Sequence, residues 1–147
     1  MTEVLVVSDS PKVRSEVVSA ITDPSTSVKE LTRGSEVRGS VADETPDLVI
    51  LDQQIGKMGG IATCMDLRLE ESGGRIPEVP VLLLLDRRAD VFLARRAGAD
   101  GWVVKPLDPL RLGRAIQALL DGGIFQDESC RPPTVSPVSS RTADAVG

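Results

Sequence analysis

The chain has 147 residues, 41% of them hydrophobic, with 17 Lys and Arg against 22 Asp and Glu, a net charge of −5 and no His. That length and apolar content suit one domain with a real core, while the acidic balance and 2% aromatics leave neither a basic field nor a stacking platform for nucleic acid. Two cysteines, Cys64 and Cys130, without CxxC spacing exclude a disulfide scaffold, and with no histidine the usual zinc sites and His-based catalysis are excluded too.

Val4–Val7 is a short apolar strand with no basic lead or cleavage site before it. Ser10 as N-cap and Pro11 at the first helical position then start a helix to about Ile21, with Val13, Val17, Val18 and Ile21 as its buried stripe. A weak strand at Val28–Leu31 and a short helix after Ser35, carrying Val37 and Val41, lead to the central strand Leu48–Leu51. After Gly60, a helix with Ile61, Cys64, Met65 and Leu67 inward runs to about Ser72, and Gly73–Gly74 stops it. Cys64 reads as core filling. Val81–Leu85 is the longest aliphatic run and far too short to cross a bilayer. A helix over Asp90–Ala97, a strand at Trp102–Val104 ending on Lys105–Pro106, and a helix capped by Asp108 and started by Pro109 complete five βα units by Gly122–Gly123.

Alternating strands and helices predict a doubly wound parallel sheet with helices on both faces. Such sheets bind ligands beyond the carboxyl ends of their strands, and here those ends carry Asp9, Asp52, Leu85 and Lys105. A carboxylate at the end of a buried strand is either an N-cap or a reactive group, and for a lone Asp capping is the commoner case. Two acids and a lysine at one edge suit either a divalent cation such as Mg²⁺ or a structural ion pair that closes the end of the sheet. From Gln126 onward, prolines and serines replace large apolar residues, which reads as a disordered tail.

Val4 to Pro11, Asp47 to Gly60 and Ala97 to Pro106, in this order and spacing, resemble the receiver domain of bacterial two-component response regulators. The resemblance implies a flavodoxin-like (βα)5 sandwich with strand order 2-1-3-4-5 over residues 1–123, followed by a tail over 124–147. It makes Asp52 the phosphoacceptor, Lys105 the lysine that contacts the phosphoryl group, and Leu85 and Trp102 the switch positions. Asp9, Asp52 and the main-chain carbonyl of Gln54 would hold Mg²⁺, with Ser8 contributing weakly through water. The Lys105–Pro106 bond would be cis.

The sequence also departs from the family pattern. Ser8 stands where receivers have a first acid, Leu85 where they have a Thr or Ser, and Gly56 where a proline is usual, so the loop after Asp52 should be looser. The resulting expectation is a stand-alone cytoplasmic receiver that is not an enzyme. A sensor histidine kinase or phosphotransfer protein would phosphorylate it, and it would act on an output protein, with no nucleic-acid or membrane partner and with weak homodimerisation an option. The alternative is a pseudo-receiver that binds partners without phosphorylation. An aspartyl phosphatase of the haloacid dehalogenase type would need Asp-x-Asp after the first strand, which Ser8–Pro11 lacks, and two acids at the strand ends would repel a flavin phosphate. Removal of everything after Gly123 is expected to leave stability nearly unchanged.

Overall fold

The computed structural model describes residues 1–56 and 58–127. The predicted tail from 128 on, Cys130 included, lies outside the described residues. In chain order the elements are β1 (Thr2–Val7), α1 (Pro11–Ala20), β2 (Thr26–Leu31), a 3₁₀ turn at Gly34–Glu36 leading into α2 (Val37–Asp43), and β3 (Leu48–Asp52). Then come α3 (Gly60–Ser72), β4 (Val81–Leu85), a 3₁₀ turn at Arg88–Asp90, α4 (Val91–Arg96), β5 (Gly101–Val104), α5 (Pro109–Leu120) and β6 (Phe125–Gln126). The sheet is parallel throughout, in the order β2-β1-β3-β4-β5-β6, which is the flavodoxin-like order expected for the first five strands.

Two of the helix starts follow from their caps. Ser10 Oγ accepts the Val13 N–H and an Asp108 carboxylate oxygen accepts the Arg111 N–H, with Pro11 and Pro109 next in the chain, so orphan donors are satisfied where φ is already helical. Period-2 alternation then divides the core. Val4, Val6, Leu48, Ile50, Leu82, Leu84 and Val103 pack under α1 and α5, whereas Leu5, Val7, Val49, Leu51, Leu83 and Leu85 pack under α2, α3 and α4 with Cys64 and Trp102.

Three expectations need correction. In α1 only Val13 and Val17 are buried, and Val18 is exposed, because an adjacent residue turns about 100° away from the inward stripe. Met65 in α3 faces outward for the same reason. The fold also does not stop at Gly123. Phe125 and Gln126 pair with Gly101 and Trp102 as a sixth strand, and the buried Asp127 accepts the Val104 N–H at 2.9 Å and faces Arg111 at 3.6 Å. Gly101 permits this approach, since a Cβ there would lie 2.7 Å from the Phe125 carbonyl oxygen.

Candidate functional site

The carboxyl ends of β1, β3, β4 and β5 meet at one edge of the sheet. Asp52 closes β3 and is only 1% exposed, so its charge must be met by nearby donors. Three are present. The buried Ser8 hydroxyl donates to Asp52 Oδ2 at 2.7 Å, and Lys105 Nζ and the Gln54 N–H donate to Oδ1 at 2.6 and 3.1 Å. Lys105 follows β5, two strands from Asp52, and at about 4.8 Å per strand its side chain crosses the end of β4 to arrive there. On the way it meets Asp86, to whose Oδ1 it donates at 2.9 Å. Burial opposes the charge on Lys105, but its hydrogen bonds to Asp52 and Asp86 and their charges outweigh burial, so its pKa lies above the usual lysine value.

Asp86 was missed in the sequence, where it reads as an ordinary loop acid after β4. The available signal was its place as a third acid at this sheet edge. Its N–H is fixed by Gln53 Oε1 at 2.8 Å, while Gln53 Nε2 donates to Asp90 at 2.9 Å. Gln54 contributes twice, through its main-chain N–H to Asp52 and through Nε2 to Asp86 Oδ2 at 2.6 Å.

Asp9 is an exposed residue after β1 and accepts the Gly56 N–H at 2.9 Å. Gly56 has φ of +42°, a left-handed conformation that proline cannot adopt, and proline has no N–H to give. The glycine therefore ties the loop to Asp9, contrary to the looser loop expected. Ser8 is held from two sides, since its hydroxyl accepts the Ser10 N–H and its carbonyl accepts Arg14 Nη1. Leu85 is fully buried and Trp102 is 3% exposed, both in the α2–α4 side of the core, with the Arg95 guanidinium 5.3 Å from the Trp102 ring centroid. The Lys105–Pro106 bond is cis.

Among the described residues, no three Asp, Glu, His or Cys side chains are grouped to hold a metal ion. The hard oxygens here that suit Mg²⁺ are the Asp9 and Asp52 carboxylates and backbone carbonyls, with water completing the shell. This set fits Mg²⁺ but is short of charge, because Ser8 brings a neutral hydroxyl that already donates its hydrogen bond to Asp52 Oδ2.

The family model for the response regulator receiver domain matches residues 4–117, and the chain belongs to that family. The DNA-binding response regulator MtrA of Mycolicibacterium smegmatis is 30% identical over 80% of this chain and 50% of its own length. The nitrate/nitrite response regulator NarL of Escherichia coli is 29% identical over 88% of this chain and 59% of its own. This chain thus spans about half the length of the curated relatives it matches. Among solved structures, a LuxR-family two-component response regulator from Aurantimonas sp. superposes with a TM-score of 0.73 at 28% identity, covering 85% of this chain and 89% of the other. Chemotaxis response regulator CheY4 of Vibrio cholerae gives 0.70 at 26%, covering 81% and 98%. The class is therefore a regulatory receiver domain of two-component signalling. No helix among the described residues is long and apolar enough to cross a membrane.

Proposed function

We propose that this receiver takes a phosphoryl group on Asp52 from a histidine kinase or phosphotransfer protein and signals by contact with another protein in the cytoplasm. The observation that carries the reading is the Lys105 ammonium at 2.6 Å from a buried aspartate at the carboxyl edge of the sheet, a cation placed where charge on a transferring phosphoryl group must be met. Asp9, Asp52 and the Gln54 carbonyl would hold Mg²⁺, with Ser8 acting through water. When bound, the metal supplies the further positive charge that phosphoryl transfer needs. Lys105 orients the acceptor oxygen and offsets the charge of the group that arrives. The face formed by α4, β5 and α5, with Arg95, Arg96 and Arg111, is the output surface in this reading.

Incubation with acetyl phosphate tests it, with intact mass as the readout. One phosphoryl adduct is expected with Mg²⁺ and none without it, and Asp52→Asn abolishes the adduct. No Mg²⁺-dependent adduct under conditions that label an ordinary receiver overturns the reading.

A second reading, a module that binds its partner without phosphorylation, is favoured by Leu85. A leucine with no hydrogen-bonding group cannot pull the neighbouring loop toward a phosphoryl group, so coupling to Trp102 is lost. In that case Asp52 labels or not with the same partner affinity, and the fluorescence of Trp102 stays unchanged.

A further inference from the structure

We propose that Asp86 restrains phosphoryl transfer at this site: its carboxylate occupies the Lys105 ammonium and the Gln54 amide in the resting chain and so stands in for the anionic group that Asp52 is to receive. The inference rests on the reading of Asp52 as the acceptor. Four contacts carry it. Lys105 Nζ donates to Asp52 Oδ1 and to Asp86 Oδ1, at 2.6 and 2.9 Å, so two of its three protons are committed to carboxylates. Gln54 repeats the pattern, giving its N–H to Asp52 at 3.1 Å and its side-chain amide to Asp86 at 2.6 Å. The same two residues thus serve both acids.

Asp86 is also built into place. Its N–H is fixed by Gln53, which is anchored to Asp90, and both its carboxylate oxygens accept a donor. Its side chain is 26% exposed where that of Asp52 is 1% exposed, so Asp86 lies on the solvent side of the acceptor. An incoming phosphoryl group approaches an aspartate whose cation is half used and whose outer neighbour carries the same sign of charge as the group itself. Both effects oppose labelling, and both vanish when a donor or partner draws Asp86 away.

The reaction that Asp86 restrains is simple in its balance. An Asp52 carboxylate oxygen forms a bond to phosphorus, the phosphorus–oxygen bond to the acetyl group breaks, and acetate leaves with the electron pair. No proton changes hands. Removing Asp86 frees Lys105 for the phosphoryl oxygens and removes one negative charge, which should speed the step about tenfold.

The test compares the wild type, Asp86→Ala and Asp86→Asn for the rate of adduct formation with acetyl phosphate and Mg²⁺, followed by intact mass. The expected order is Asp86→Ala fastest, Asp86→Asn between, wild type slowest. A melting cycle of Asp86→Asn, Lys105→Gln and the double variant gives a readout that needs no phosphorylation. The shift caused by Asp86→Asn should disappear in the Lys105→Gln background. Equal labelling rates for wild type and Asp86→Ala overturn the inference, as do additive melting shifts. If no variant labels, it is the assignment of Asp52 as acceptor that fails, and the melting cycle alone decides whether Asp86 holds Lys105.

Discussion

Two cations lie at opposite ends of this sheet, each between two carboxylates, and each has a side chain that is 22% exposed. Among the described residues, the Lys105 ammonium at the carboxyl edge donates to side-chain oxygens, those of Asp52 and Asp86. Arg68, in α3, faces the amino edge and reaches the backbone as well. It donates to the Val79 and Gly98 carbonyls, while its acids Glu71 and Asp100 accept the Val79 and Val81 N–H groups. Equal exposure and equal formal charge therefore give two different devices. The Arg68 cluster satisfies main-chain groups at the start of β4 and before β5, and it fastens the entrance of β4 to α3 and to the turn before β5. The Lys105 ammonium joins the ends of β3, β4 and β5 through side-chain carboxylates, and the strands' own backbone ladders do not depend on it, so its hydrogen bonds can be exchanged for those of another anion without opening the fold.

The largest effect should come from breaking the fastener. Arg68→Met leaves two carbonyls and two half-buried acids without their cation, and a loss of about 3 kcal/mol is expected in chemical denaturation. Asp86→Asn, which removes one of two like charges around Lys105, should change stability by less than about 1 kcal/mol. Similar costs for the two would mean that Arg68 and Asp86 do the same structural work.

An intermediate effect is expected at the end of the described chain. Truncation after Gly123 removes β6 and the Asp127 carboxylate on the Val104 N–H, at a cost of about 2 kcal/mol and a fall in Tm of several degrees. This replaces the near-zero change expected from composition. An unchanged Tm on calorimetry would mean that β6 adds nothing to the edge it covers.

The smallest effect concerns acid. Hydrogen bonds from Arg87 and then Gln53 hold the Asp90 carboxyl below the usual aspartate value of 3.8, against a desolvation that acts the other way. A depressed native pKa stabilises the fold fully above the unfolded value and progressively less as pH falls through the native one. Wild type should therefore lose stability below about pH 4 relative to Asp90→Asn, and the two should run parallel above it. Parallel curves at every pH would show that Asp90 titrates alike in the folded and unfolded chain.

Much of the fold was legible because its signals are local. The apolar run Leu48–Leu51, the caps Ser10 and Asp108 with their prolines, and the Gly73–Gly74 stop each depend on a few adjacent residues. Asp52, Lys105 and Ser8 were legible as a site because three separated motifs resemble one family. Asp86 was not, since no motif marks it and its meaning depends on Lys105 arriving from another strand. Arg68 was hidden in the same way, with partners such as Asp100 far along the chain. Two residues of β6 cannot show a period, and Asp127 reads as tail until Val104 and Arg111 are found beside it.

That last contact has a mechanical side. A pull applied to the chain beyond Asp127 is not delivered to the end of α5, where the helix stops at Leu120. It reaches β5 through the pairing of Phe125 and Gln126 with Gly101 and Trp102 and through the Asp127 carboxylate on the Val104 N–H, and Val104 is the residue before Lys105. Tension on whatever follows position 127 would thus act as a tug on the strand that carries the lysine, and slack would leave it undisturbed.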